Sequence, residues 1–253
     1  KRDLAWLFRH LDPEEQVNLS DHTDSYAVLG LMGPRSAEIA TLLGAPALNE
    51  LGYFEFCRAN ISGVDVEAVR LSYVGEAGWE ISCQPNQVQQ LFDALVNAGA
   101  RPAGVFAQTS MRIEKRFLAF GHDLDTDINP FQAGLGFTLD WESDFIGKAA
   151  LLEHRDESPA SRLVSIVLDS VDAQPLGNEP VYHNGRVIGK TTSAAFGYRI
   201  GRPVAIALVN SQGENFLDGL EVDVDIAGSQ NAGTILLNPA YDPEGSSMRQ
   251  SIR

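Results

Sequence analysis

The sequence predicts an α+β domain followed by a small antiparallel β-barrel. Three observations predict it. Up to about residue 145, helical and strand signals alternate along the chain. Beyond residue 160 every signal is a strand, and the strands are short and evenly spaced, as in a small barrel. Asn184-Gly185 stands between two of those strands and is the strongest two-residue hairpin signal available. The expected division is residues 1–145 for the first domain and 146–253 for the barrel domain.

Leu4, Leu7 and Leu11 recur at helical spacing with no capping residue before them, so the chain is expected to start mid-domain. Tyr26 to Met32 reads as a buried strand. Gly33-Pro34 ends it, with Pro34 suited to the first turn of a helix whose stripe is Ile39, Leu42 and Leu43 and whose stop is Gly44. Val64 to Val74 reads as a strand, Gly75 to Gly78 as a tight connection and Trp79 to Cys83 as the returning strand. Asn86 is placed to cap a helix striped by Val88, Leu91, Phe92 and Leu95, which Gly99 closes. A further helix is expected over Thr109 to Phe120, ended by Gly121. A short helix between Phe145 and Glu153 leads to a polar linker over 155–161. The strands that follow are Leu163–Leu168, Pro180–His183, Arg186–Gly189, Val204–Val209, Leu220–Ile226 and Thr234–Leu237. Leu220 to Ile226 alternates strictly between apolar and acidic residues.

Composition excludes several function classes. Among 253 residues, 19 are basic and 34 acidic, for a net charge of −15, and no Lys/Arg cluster is present. This argues against nucleic acid and anionic membranes as partners, because binding phosphates needs clustered cations. No apolar run reaches transmembrane length and the N-terminus has no signal-peptide core. Cys57 and Cys83 cannot form a disulfide framework or a four-ligand metal site, so the expected compartment is a reducing cytoplasm. P-loop, dinucleotide, nucleophile-elbow and zincin motifs are absent. The five histidines are scattered, and no metal site is expected.

Three segments are candidates for chemistry. In Tyr73-Val74-Gly75-Glu76-Ala77-Gly78-Trp79-Glu80, Glu80 and Ile81 must point to opposite faces of the strand. If Ile81 faces the core, Glu80 faces solvent or a cleft. It is then either a solvated edge carboxylate or a ligand reader. A carboxylate can accept two parallel hydrogen bonds from an amino-pyrimidinone edge such as a pterin or guanine presents. Tyr73 starts the same hairpin and could stack on such a ring. Arg112-Ile113-Glu114-Lys115 reads as a helix face with ordinary ion pairs, with Arg116 one turn beyond Arg112. Gly121 to Pro130 carries three alternating acids but lacks the glycine and the final glutamate of a calcium loop.

At these residues the chain resembles the glycine-cleavage T-protein (aminomethyltransferase) family. The resemblance is carried by Tyr73 to Glu80, Arg112-Ile113-Glu114, Gly121-His122-Asp123, Asn129 to Leu135, Asp144 to Lys148, Gly177 to Tyr182 and Gly189 to Ser193. Trp79 after Gly78, Arg112 to Lys115, Asp144 to Lys148 and Tyr241 to Gly245 are most similar to one branch, the folate domain of dimethylglycine and sarcosine dehydrogenases and oxidases.

The resemblance implies a T-protein-like folate-binding domain, partial at its start, before the barrel. It implies tetrahydrofolate as cofactor, with Glu80 reading the pterin, Tyr73 beside the folate and Tyr241 the nearest match to a C-terminal folate-contacting tyrosine. Gln108 stands where T-proteins carry a folate-contacting arginine, as in the oxidase-type branch. The family's essential aspartate follows a Gly-Gly pair in a segment with no counterpart here. No catalytic residue is therefore assigned, and the chain alone is expected to be inactive. The implied function is transfer of a one-carbon unit from a small methylated amine to tetrahydrofolate, with a flavin-oxidoreductase domain or subunit and self-association as implied partners. The alternatives are a non-catalytic folate-binding repair or regulatory protein and a tetrahydrofolate-dependent demethylase.

Overall fold

The structure is a computed structural model and describes residues 1–210 and 218–249. Contacts divide it into two compact units. One holds Lys1–Ser72 and Ala77–Pro102; the other holds Tyr73–Glu76 and the chain from Ala103 onward.

The first unit is built on a four-stranded antiparallel sheet. Its strands are β1 (Ala27–Met32), β2 (Phe56–Ile61), β3 (Val64–Val69) and β4 (Gly78–Cys83), in the order β1-β4-β3-β2. Period-two alternation sorts the residues. Leu31, Ile61, Val66, Ala68, Trp79 and Ile81 pack in one core with Ile39, Leu91 and Leu95. Ile39 comes from helix α2 (Ser36–Leu42), and the two leucines come from α3 (Val88–Asn97). Helix α1 (Arg2–Arg9) precedes them and buries no residue. Trp79 is fully buried and its Nε1 donates to the Leu48 carbonyl at 2.9 Å. Gly78 lets β1 and β4 approach, because a Cβ there would overlap the Leu31 carbonyl oxygen.

The second unit is built on a closed antiparallel barrel. Its strands are β5 (Ser161–Leu168), β6 (Pro180–His183), β7 (Arg186–Gly197), β8 (Arg202–Asn210), β9 (Glu221–Ile226) and β10 (Ser229–Leu236), in the order β10-β5-β8-β7-β6-β9. Val164, Ile166, Leu168, Val181, Val209, Val222 and Val224 form one core. Leu163, Val204 and Ile206 form another with Ile113 of helix α4 (Val105–Glu114). The hairpin at Asn184-Gly185 forms as expected, with both residues at positive φ, as a type I′ turn requires. In β9, Val222 and Val224 are buried while Glu221 and Asp223 are exposed, as the alternation predicts. Helix α5 (Lys148–Leu152) is the expected short helix. Among the described residues no helix is long and apolar enough to cross a membrane.

Several expectations need correction. Strand β1 is not buried on both faces: Val28 is 55% exposed. Pro34 precedes α2, whose N-cap is Arg35. Asn86 sits inside a 3₁₀ turn (Pro85–Gln87), so it cannot cap α3. Strand β3 ends at Val69, so eight residues rather than a tight turn separate it from Gly78. Helix α4 runs four residues earlier than expected and stops at Glu114; Arg116 at φ 49° takes the breaking role given to Gly121. Strand β7 continues to Gly197 through a bulge between Thr191 and Ser193. Strand β2 had no counterpart in the sequence reading. Its inward residues are Cys57, Ala59 and Ile61, and the first two are too small to register as a hydrophobic alternation. The parts of the expected barrel domain at 211–217 and 250–253 lie outside the described residues.

Trp79 joins β4 to Leu48 and fills the centre of the first core. Trp79→Ala is expected to cost about 3–5 kcal/mol, read from urea denaturation monitored by circular dichroism. A loss below about 1 kcal/mol would show that the sheet does not depend on this side chain.

Candidate functional site

Helix α4 is the organising element of the second unit. Arg112, Ile113, Glu114 and Lys115 are all buried, and three of the four are ionisable. The expectation of ordinary surface ion pairs is therefore corrected. These charges lie beneath barrel strands and loops, where each needs a built partner.

Arg112 donates to Asp123 at 2.6 Å and to the Ser193 hydroxyl at 2.8 Å. Asp123 also accepts from the Ala119 amide at 2.9 Å and from the Thr192 hydroxyl at 2.5 Å. The acidic run after Gly121 thus has its first carboxylate consumed by an ion pair. Among the described residues, no group of three or more side chains could hold a metal ion.

Glu114 is completely buried. Its carboxylate accepts the amides of Arg199 at 2.8 Å and Ile200 at 3.1 Å, and the Arg199 guanidinium lies 3.5 Å away. The other arm of that guanidinium reaches Glu76 at 2.5 Å. Its central carbon lies 4.8 Å from the centroid of the Tyr241 ring, a cation–π contact. The Tyr241 amide donates to the Glu114 carbonyl at 3.0 Å. Arg199 thereby gathers the hairpin segment at Glu76, helix α4 and the C-terminal segment.

Lys115 donates to the Asp242 carboxylate at 2.9 Å and to its carbonyl at 2.5 Å. Gly75 lies against the Lys115 stem: at φ 75°, and with a Cβ that would overlap that stem, the position suits glycine alone. Burial pushes the Asp242 carboxyl up, but the Lys115 hydrogen bond, the Ser246 and Ser247 amides and the Lys115 charge outweigh it and hold the pKa at about 2.

Of the residues singled out from sequence, Tyr73 and Tyr241 fall in this unit. The Tyr73 hydroxyl donates to the Leu118 carbonyl at 3.2 Å, and its ring stacks on Phe117 at 6.2 Å. Burial raises the Tyr73 pKa, so the phenol stays a neutral donor. Both tyrosines are thus tied to α4 or the turn after it. Gln108 lies exposed on α4. Arg116 leaves the helix and does not share a helical face with Arg112. Glu80 belongs to the first unit. Trp79 and Ile81 are buried, so Glu80 projects from the opposite sheet face, half-buried, beside Gly30 on one side and Val69 on the other. Among the described residues its carboxylate makes no hydrogen bond or ion pair.

Sequence reasoning missed Arg199 and Asp242 as functional supports. The only signal for Arg199 was one cation in the glycine-bounded turn Gly197 to Gly201. Asp242 stands in the run Tyr241 to Gly245, but its partner Lys115 lies 127 positions away.

A family model described as the GCVT N-terminal domain matches residues 1–143, and one described as the glycine cleavage T-protein C-terminal barrel domain matches residues 162–242. The chain is 33% identical to the mitochondrial dimethylglycine dehydrogenase of Homo sapiens over 94% of its own length and 28% of that protein. It is 30% identical to the aminomethyltransferase of Bacillus subtilis, covering 95% of this chain and 67% of that one. The crystal structure of the glycine cleavage system aminomethyltransferase T from Bartonella henselae superposes with a TM-score of 0.76 at 25% identity. That match covers 86% of this chain and 60% of that one. The chain thus spans little more than a quarter of the dehydrogenase it matches.

Asp242 also sets a pH dependence. Its folded pKa, about 2, lies below the ordinary carboxylate value, so the stabilisation is complete above about pH 4 and is lost as pH falls towards 2. Asp242→Asn leaves the buried Lys115 ammonium without its counter-charge and is expected to cost about 3 kcal/mol at pH 7. It should also flatten the stability loss between pH 4 and 2, measured by chemical denaturation across that range. An unchanged acid limb would mean that other carboxylates set it.

Proposed function

We propose, from the premise that this chain belongs to the glycine cleavage T-protein family, that it binds tetrahydrofolate and serves one-carbon transfer from a small methylated amine. The observation that carries this reading is Glu80. Most half-buried or buried carboxylates described above are spent on protein partners, whereas this one keeps its lone pairs free on an open sheet face. The neighbouring Gly30 has no side chain to crowd it: a Cβ there would meet only the tip of Met32. A pterin edge offers two parallel N–H donors, and a carboxylate accepts both.

Tetrahydrofolate supplies the nucleophilic nitrogens that capture the carbon unit. The protein's part is binding and orientation, since holding reactants in place supplies much of the rate. Glu80 would hold the pterin edge. Within the second unit, Tyr73, held through Leu118 and Phe117, and Tyr241, held through Glu114 and Arg199, are the residues that the family resemblance offers as folate contacts. No catalytic acid or base is assigned. The similarity to dimethylglycine dehydrogenase favours a methylated amine as donor and a flavin-oxidoreductase domain or subunit as its source. The division at residue 145 into a folate-binding part and a barrel part belongs to the same reading. The free thiols of Cys57 and Cys83 suit a reducing compartment such as the cytoplasm.

Glu80→Gln keeps the shape but sets an amide donor against the donors of the pterin. Tetrahydrofolate affinity, measured by calorimetric titration of the full-length protein, is expected to fall by about 2–4 kcal/mol. Equal affinities in the two proteins would reduce Glu80 to a solvated strand residue. Tight binding without methylene transfer from any methylated amine would instead favour a folate-binding regulatory or repair protein.

A further inference from the structure

The cations beneath α4 and the barrel follow one rule with one exception. Arg112 is paired with Asp123, Lys115 with Asp242, and Arg199 with Glu76 and Glu114. Arg116 and Arg162 are not paired: among the described residues neither forms an ion pair, although the chain carries 34 acidic residues against 19 basic ones.

Both side chains are half-buried in the second unit. Arg116 follows the end of α4 at φ 49° and spends one arm on the Leu237 carbonyl at 2.6 Å. Its other arm lies near Gly134, 4.0 Å from where a Cβ would stand. Arg162 projects from β5, and its Nε is shielded from solvent with no hydrogen-bond partner. The segment at Gly134 also meets β5: the amide of Leu163, next to Arg162, donates to the Gln132 carbonyl at 2.8 Å, so both arginines border the same short stretch of chain. Burial lowers the Arg116 pKa, and the charge of Arg162 lowers it further, in keeping with that placement.

Two half-buried like charges repel, and a shielded N–H without an acceptor is a further cost. An anion bearing several oxygens removes both penalties, since each guanidinium offers a planar fork matched to phosphate or carboxylate oxygens. We propose that Arg116 and Arg162 form a binding site for a small dianion, a phosphate or a dicarboxylate. This site is independent of the folate reading.

The probes are inorganic phosphate and succinate, each titrated into the full-length protein at constant ionic strength held with sodium chloride. Thermal unfolding is followed by circular dichroism, and binding by calorimetry. Wild type is expected to show a saturable rise in Tm with at least one of the two, and the stronger response identifies which chemistry the site prefers. Arg162→Gln and Arg116→Gln should each weaken binding about tenfold or more. Arg162→Lys should fall between, because it keeps the charge without the fork. Arg186→Gln, an exposed change elsewhere on the barrel, should bind as wild type does. In sodium chloride alone, without phosphate or succinate, Arg162→Gln should be at least as stable as wild type, because it relieves the repulsion. The proposal is overturned if neither anion gives a saturable shift, if both glutamine variants bind undiminished, or if Arg162→Gln is strongly destabilised in sodium chloride alone.

Discussion

The burial of Glu114 is the constraint on which the second unit depends. A carboxylate with no exposed surface carries a desolvation cost of several kcal/mol, so the chain around it has to supply donors. The turn between β7 and β8 supplies two amides, and Arg199 adds its guanidinium. Gly197 must lack a side chain, because a Cβ there would stand 2.9 Å from the Glu114 carboxylate. The Glu114 main chain then holds Tyr241. Breaking this cluster would leave an uncompensated buried charge, which costs more than the intact cluster contributes. The arrangement therefore specifies geometry more than it adds stability.

Elements carried by strong periodicity were legible in the sequence. β6 and β9, the hairpin at Asn184-Gly185 and most of the α3 stripe needed only local rules, because each buries one face against a continuous core; of that stripe Val88, Leu91 and Leu95 face the core while Phe92 stays exposed. What was illegible depended on distant partners. The bulge in β7 lets the strand run past Gly189 while Thr191 and Ser193 turn inward to bond Glu179 and Arg112. Polar residues serving buried partners read as a loop to any rule based on hydrophobicity. The early start of α4 was hidden for a related reason. Val105 and Phe106 are exposed at its first turn, so its opening carries no amphipathic signal.

The candidate site divides along the same line. Alternation alone puts Glu80 on the face opposite Ile81, and the burial of Trp79 and Ile81 in the structure decides which of the two faces is the open one. The supports of the two tyrosines could not be placed from alternation. Arg112 and Asp123 each stood in a recognised motif, yet neither motif shows that the residues meet. The Arg112-to-Lys115 run looked like an ordinary helix face because charge normally marks solvent. That inference fails once every charge has an internal partner.

The buried and half-buried carboxylates described above fall into two classes, and the division is what supports the proposal that Glu80 reads a ligand. Glu114, Asp123 and Asp242 are consumed by internal donors. So is Glu179, which accepts the Leu176 amide at 2.6 Å together with the Gly177 amide and the Thr191 hydroxyl. Such a group has already exchanged its water for protein donors, and a ligand would have to break those bonds before it gained any. Glu80 has lost part of its hydration to the sheet around it and has received no protein donor in return. Its hydrogen-bonding capacity is held open at a fixed place in a rigid strand. That is the condition under which an incoming pair of donors is recognised at little further cost in desolvation or ordering.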